Sequence, residues 1–473
     1  VIVVGASSHP AKFGFAALHN VLAAGFAGPV FAVNRDGGEI LGVATVTDVD
    51  QLPSGQADLA LVCTPSAANP GVLRACAAKG VKAAYVVSGG YRETGGGGRA
   101  AEEELVALAD KLDIALAGPN GQGLISTPSA LCAQIVGPYP VAGAISIASQ
   151  SGNTTSSFLN YANSSGVGIA RAVSAGNAAA VSVADYLQWY RDDPATRVAF
   201  AYLEHSADGR AVFDGIRSVS REKPVVLVKG GVTGAGQQAA ASHTGALAGE
   251  QRIFTGAMHQ AGVCLAPTVE EAFDAAATFA TQPLPKGPNT VVVTTAGGWG
   301  VMTADALASS SLSLMPLPDD LREAIDTKLP PRWSRANPVD MAGGESRDTV
   351  PEVLELVAAH PSVDAVIFLG LGIQSNSARL LRDGPFYPDH GLARIVAFHE
   401  RQDRRFATAA AEASAATGKP VLVATELGVT DPANPGPAAV RETGRFCYPS
   451  ANRAVTALEH LWRYARFRQR RGW

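Results

Sequence analysis

An excess of charge of either sign is missing from this sequence: 38 Lys and Arg stand against 42 Asp and Glu, a formal net charge of -4. So balanced a chain argues against a large nucleic-acid footprint, which needs a basic surface to displace counterions. Long apolar runs are missing too. No stretch reaches the roughly 18 unbroken apolar residues of a membrane helix, so no membrane association is expected. Cysteine is sparse: Cys63, Cys76, Cys132, Cys264 and Cys447 are odd in number and show no C-x-x-C spacing. That pattern is neither a zinc site nor a disulfide framework. The nine histidines contain no H-E-x-x-H, so no metal ligands are expected and a metal hydrolase is disfavoured. No basic segment followed by an apolar core opens the chain, which leaves a cytoplasmic protein as the expectation. The opening Val1-Ile2-Val3-Val4 carries no initiator Met, so a few native residues are expected to precede this numbering.

What is present is apolar residue in ordinary supply, 47%, and glycine in excess, 50 of 473 residues. Disorder is thereby excluded as a global description, and the length predicts about three domains. Apolar runs of four to seven residues alternate with longer amphipathic segments, the pattern of β-α-β units with strands buried on both faces. The first series predicts strands at Val1–Val4, Val30–Val33, Leu59–Cys63, Ala83–Val87 and Ile114–Ala117. The second predicts strands near Ala144–Ala148, Gly168–Val173, Val198–Leu203 and Pro224–Lys229. The third predicts Thr290–Thr294, Ala365–Leu369, Ile395–Phe398 and Pro420–Ala424. The Pro-rich segment 282–288 reads as a linker. Domains are accordingly expected at 1–138, 139–286 and 287–473: an α/β chain with a Rossmann-like domain followed by two flavodoxin-like parallel-sheet domains.

Each strand of the first series ends in a polar or glycine turn, where open α/β sheets bind ligands. The turn Gly5-Ala6-Ser7, continuing to Lys12 and Gly14, offers backbone N–H groups and a helix start to a phosphate. It lacks the full G-x-G-x-x-G, and Lys12 suits either a phosphate or plain solvent. Asn34, Thr64, Pro65, Ser88, Gly89 and Asn120 stand at the other four turns. In the second series, Gln150, Ser151, Gly152 and Asn153 lie between a strand and a helical pattern. One hydroxyl suffices for an N-cap, whereas 149–157 holds six Ser and Thr; an anion seat on the positive helix end is the favoured reading. His243, in Ser242-His243-Thr244-Gly245, has small neighbours that leave its imidazole open to accept and hand on a group. A loop histidine with glycines for turn reasons is the competing reading. Glu204, at the end of a strand, is placed to hydrogen-bond one imidazole nitrogen and leave the other nucleophilic. His205 is passed over, because successive side chains of an extended chain diverge.

In order along the chain, Val4-Gly5-Ala6-Ser7, Gly118-Pro119-Asn120, Ser149-Gln150-Ser151-Gly152, Gly176-Asn177, Tyr202-Leu203-Glu204, Asp208-Gly209-Arg210, Ser242-His243-Thr244-Gly245, Ala296-Gly297-Gly298 and Asn337-Pro338-Val339-Asp340 resemble the ADP-forming acyl-CoA synthetases, relatives of succinyl-CoA synthetase. The resemblance implies a reversible ligase that joins a small carboxylic acid to coenzyme A through an acyl phosphate, with His243 as the phosphohistidine. It implies that Glu204 steadies that phosphohistidine. It also implies that Gln150, Ser151, Gly152, Asn153, Thr244 and Gly245 hold phosphate, and that the first domain binds CoA. ATP or ADP and Mg2+ would enter through an ATP-grasp β subunit or fused domain, which nothing in this sequence resembles; an oligomer is expected. A non-catalytic CoA-sensing module is the alternative. The sequence departs from the family pattern at Gly121-Gln122-Gly123, Asn153-Thr154-Thr155, Ala178-Ala179-Ala180 and Trp299, which leaves the choice of acid open.

Overall fold

The computed structural model describes residues 1–205, 208–238, 251–341, 343 and 348–473. These residues form two compact units: Val1–Ser164 with Gly168–Ala272, and Phe273–Trp473 with Ser165–Val167. The first unit holds two seven-stranded sheets and the second a six-stranded one.

The first sheet comprises β1 (Ile2–Val4), β2 (Phe31–Val33), β3 (Gly38–Ile40), β4 (Val43–Val46), β5 (Leu59–Val62), β6 (Ala83–Val86) and β7 (Ala115–Ala117), in the order β3-β4-β2-β1-β5-β6-β7. Its unbroken apolar strands are buried on both faces. Ile2, Val4, Ala60, Val62, Ala84 and Val86 enter one core, while Val3, Leu61 and Tyr85 point into the other. This alternation is the period of two that a pleated strand imposes. All pairs are parallel except β3 with β4, an antiparallel hairpin at one edge.

The second sheet comprises β8 (Gly123–Ser126), β9 (Leu131–Gln134), β10 (Ala142–Ser149), β11 (Ile169–Ser174), β12 (Val198–Leu203), β13 (Val225–Lys229) and β14 (Cys264–Leu265). Its order is β14-β13-β12-β10-β11-β8-β9. Four parallel pairs form its body, and β8 and β9 add an antiparallel edge. Both of these strands lie N-terminal to residue 138.

The second unit contains β15 (Asn289–Thr294), β16 (Ser313–Leu314), β17 (Val339–Asp340), β18 (Ala365–Leu369), β19 (Val421–Ala424) and β20 (Cys447–Tyr448). The order is β16-β15-β18-β19-β20, with β17 paired to the end of β15. Two expectations are corrected here. Ile395–Phe398 is no strand but part of the helix Leu392–Thr417. Of those four residues only Val396 is buried, and the buried series runs on through Asp403, Phe406, Ala407, Ala410 and Ala413. That spacing is helical and overrides a four-residue apolar run. Gln282 is also not free linker: its amide donates to Val421 O at 3.0 Å and accepts from Val421 N at 3.2 Å.

Asp274 ties this unit together. It is 2% exposed, and the Arg453 guanidinium grips its two oxygens at 2.6 and 2.7 Å. Removing one partner of such a buried pair typically costs about 3–5 kcal/mol. Asp274→Ala is therefore expected to lower the urea midpoint by that amount of stability; a loss below about 1 kcal/mol contradicts the pairing argument.

Candidate active site

In each sheet of the first unit the chain leaves a central strand, builds outward on one side, and then crosses to the other. Such switch points open a crevice at the carboxyl ends of the strands. In the first sheet the crevice lies between β1 and β5; in the second, between β10 and β12.

The β1 turn is built around a close approach. The N–H groups of Gly5 and Ala6 both donate to Val33 O at 3.0 Å, and Asn34 Nδ2 donates to Ala6 O at 2.7 Å. The helix Phe13–Ala23 then packs so tightly on this turn that a Cβ on Gly14 would stand 1.9 Å from Gly5 O. Ser7 Oγ accepts from His9 N, and Lys12 is exposed just before the helix. Beside Gly5, Thr64 Oγ1 donates to Asn69 Oδ1 at 2.8 Å, and Asn69 Nδ2 donates to Ser88 Oγ and the Tyr91 hydroxyl. Pro65 stands next to Thr64 in the chain. Gly5, Ala6, Asn34, Thr64 and Ser88 thus form a hydrogen-bonded rim around the first switch point. Burial pushes the thiol of Cys63, at that rim, up to about 12.

The second crevice is organised by Gln150. Its Oε1 accepts from Glu204 N at 2.6 Å and His205 N at 3.2 Å, while its Nε2 donates to His205 O at 3.0 Å. At the start of the helix Gly152–Ser165, the first N–H groups have no intrahelical acceptor. Ser151 Oγ accepts from Thr154 N at 3.2 Å, so the N-cap reading of this stretch holds for one hydroxyl. The Gln122 side chain packs closely on Gly152: a Cβ there would fall 2.2 Å from Gln122 Cδ, so a larger residue would have to displace that side chain. The Glu204 carboxylate accepts from the Tyr202 hydroxyl at 3.2 Å. Burial, then the Glu204 charge, pushes that phenol up to about 12, so it remains a donor. Lys229 Nζ donates to Glu204 O at 2.7 Å, and burial holds its pKa below the ordinary lysine value against the pull of Glu204.

Strand-end turns of both sheets border one cavity of about 330 Å³. From the expected set it brings together Gly89, Asn120, Gln150, Ser151, Gly152, Asn153 and Glu204. Gly5, Ala6, Ser7, Lys12, Gly14, Asn34, Thr64, Pro65 and Ser88 do not line it. His243, Thr244 and Gly245 lie outside the described residues.

The cavity also has walls beyond the expected site residues, although Asn177 and Gln122 stand out in the sequence, one in a family motif and one in a departure from it. Arg92, Asn177 and Gln122 line it, as does His205. Asn177 Nδ2 bridges the carboxylates of Glu93 and Glu102 at 2.8 and 2.7 Å, and Arg92 Nε donates to Glu102, which is 4% exposed. Burial favours a neutral Glu93, but hydrogen bonds led by that of Asn177 outweigh it and hold the carboxyl below its usual range. The dismissal of His205 is corrected: β12 ends at Leu203, so the alternation of an extended strand no longer separates residues 204 and 205. The one local signal for Arg92 is its place in the polar turn that follows Ser88-Gly89-Gly90.

Comparisons with known proteins fit this geometry. Residues 1–127 match the CoA binding domain family, 142–279 the succinyl-CoA ligase like flavodoxin domain, and 290–373 the ligase-CoA domain. The alpha subunit of acetate–CoA ligase [ADP-forming] I of Pyrococcus furiosus is 32% identical, with 99% of this chain and 96% of that protein covered. The 4-hydroxybutyrate–CoA ligase [ADP-forming] of Nitrosopumilus maritimus is 30% identical over 78% of this chain, which spans about half (53%) of that protein. Among solved structures, acetyl-coenzyme A synthetase 1 of Ca. Korarchaeum cryptofilum, in complex with phosphate and ADP, superposes with a TM-score of 0.82. It is 31% identical, with 99% of this chain and 96% of that chain covered. The chain belongs to the ADP-forming acyl-CoA synthetases, as an alpha-subunit-like member.

Proposed function

We propose that the cavity is the chamber where an acyl phosphate meets the thiol of CoA. The observation that carries this reading is that strand-end turns of both sheets border it: Gly89 and Asn120, past β6 and β7 of the first sheet, and the Gln150–Asn153 segment and Glu204 at the switch point of the second. CoA lies along the first rim, on Gly5, Ala6, Ser7, Asn34, Thr64, Pro65, Ser88, Gly89 and Asn120, with Lys12 toward its phosphates and Gly14 keeping the helix close. The phosphoryl group sits on the helix start at Gln150, Ser151, Gly152 and Asn153. A helix N-terminus contributes about 0.3–1 kcal/mol to an anion, up to ~2 kcal/mol when partly buried; the aligned N–H groups add more.

Nucleotide phosphorylates His243, flanked by Thr244 and Gly245, and Glu204 orients the phosphoimidazole. The phosphohistidine passes its phosphoryl group to the carboxylate of the acid, and CoA thiolate then displaces phosphate to give the thioester. Each step is reversible. ATP or ADP, and the Mg2+ that accompanies it, belong to an ATP-grasp β subunit or fused domain. The working domains are 1–138 for CoA, 139–286 for the phosphohistidine and 287–473 as a second ligase-like layer, in an oligomeric cytoplasmic enzyme.

The test supplies the chain with its ATP-grasp partner, ATP, Mg2+, CoA and a panel of fatty, branched, dicarboxylic and aryl acids. Acid-dependent thioester and ADP should appear in equal amounts. CoA binding with neither product from any acid would overturn the ligase reading in favour of a CoA sensor.

A further inference from the structure

None of the groups placed so far removes the thiol proton of CoA. An alkyl thiol has a pKa of about 8.5, and only the thiolate attacks. His205 occupies the place where this proton must be lost. Its main chain is clamped from both sides by the Gln150 amide, at 3.2 Å on the N–H and 3.0 Å on the carbonyl. The residue lines the cavity, and its buried Nδ1 has no hydrogen-bond partner among the described residues. Buried polar atoms in folded proteins are seldom left so, and the exceptions call for a role. The charges around the ring come from both sides of the cavity: Arg92 and Glu102 from the first-sheet side, Glu204 and Lys229 from the second. The imidazole therefore stands where a thiol arriving from the CoA rim meets an acyl group arriving from the phosphate seat.

We propose that His205 is a catalytic residue, the general base that takes the thiol proton of CoA in the thioester-forming step. This rests on the function proposed above. The S–H bond breaks and a ring N–H forms. The sulfur electron pair makes the C–S bond as the acyl C–O bond to phosphate breaks, and inorganic phosphate leaves. The imidazolium then returns its proton to solvent or to the departing phosphate. In the reverse direction the same ring protonates the leaving thiolate. Burial first, then Arg92, lowers the imidazole pKa from its ordinary 6.5, against the opposing pull of Glu204 and Glu102. A ring held neutral at pH 7 is ready to accept.

The experiment uses the full chain with its ATP-grasp partner and compares wild type with His205→Gln and His205→Asn. The bonds that hold residue 205 use its main chain, so either amide keeps its place. Hydroxylamine traps acyl phosphate as hydroxamate and is a nucleophile without deprotonation. Hydroxamate formation from ATP and acid should therefore stay within about threefold of wild type, while thioester formation falls about 10²- to 10⁴-fold. The pH profiles should also part. Wild-type thioester formation rises through the lowered imidazole pKa and is level above pH 7. The variants should climb about tenfold per pH unit through pH 8, because they react only with thiolate already present. Wild-type thioester rates in both variants, equal losses of hydroxamate and thioester, or an unchanged pH profile would each overturn the proposal. Absence of hydroxamate with the wild-type protein would instead overturn the ligase reading on which it rests.

Discussion

Gly14→Val is expected to abolish CoA binding, lowering affinity at least about 100-fold, equivalent to about 2.7 kcal/mol. The cause is a collision with main chain. A Cβ at residue 14 would stand 1.9 Å from Gly5 O, 2.8 Å from Gly5 C and 3.0 Å from Ala6 Cα. No rotamer relieves contacts with backbone, so the helix Phe13–Ala23 must back away from the turn it closes. The two hydrogen bonds to Val33 O and the bond from Asn34 to Ala6 O would move with it. Gly71 is the matched control. It lies in the helix Asn69–Ala78, and nothing stands within 4 Å of the place a methyl group would take. Gly71→Ala should bind CoA normally and gain about 0.5–1 kcal/mol of stability from helix preference. Calorimetric titration of CoA into both variants decides the matter. Normal binding by Gly14→Val would remove the first-sheet rim from the CoA site.

His243→Ala is expected to lose turnover by at least about 10⁴-fold while keeping CoA affinity within about threefold of wild type. The split follows from the proposed roles: covalent relay through a single imidazole has no substitute once the ring is gone, whereas the proposed CoA site lies on turns of the first sheet, within the residues matched by the CoA binding domain. Activity and affinity are measured on the same preparation with the partner present. A variant that retains a tenth of wild-type turnover would mean that phosphoryl transfer bypasses residue 243.

The strands most legible in the sequence were those buried on both faces. Ile2–Val4, Leu59–Val62 and Ala83–Val86 read as unbroken apolar runs because each alternate residue has a core to enter. Ile395–Phe398 offered the same four-residue signal inside a helix, and only the longer spacing to Asp403, Phe406 and Ala410 separates the two. Gly123–Ser126 alternates buried and half-exposed residues and Leu131–Gln134 is only four residues long, so their local pattern was weak. At the site, the helix start at Ser151 and the carboxylate of Glu204 were legible because strand-end position alone brings them to the crevice. The tie from Asn177 to Glu93 spans 84 residues and has no local signature. His205 was hidden by a rule valid only within a strand, and its residue lies just past the strand end.

The central claim is that a phosphoryl group travels through one histidine of this chain. The most direct measurement incubates the chain and its ATP-grasp partner with γ-labelled ATP and Mg2+, then locates the label by peptide mass spectrometry. The account predicts a single acid-labile, base-stable phosphate on His243, discharged on adding ADP, or acid together with CoA. A label on any other residue, or thioester synthesis with no phosphoprotein at any time, would contradict it.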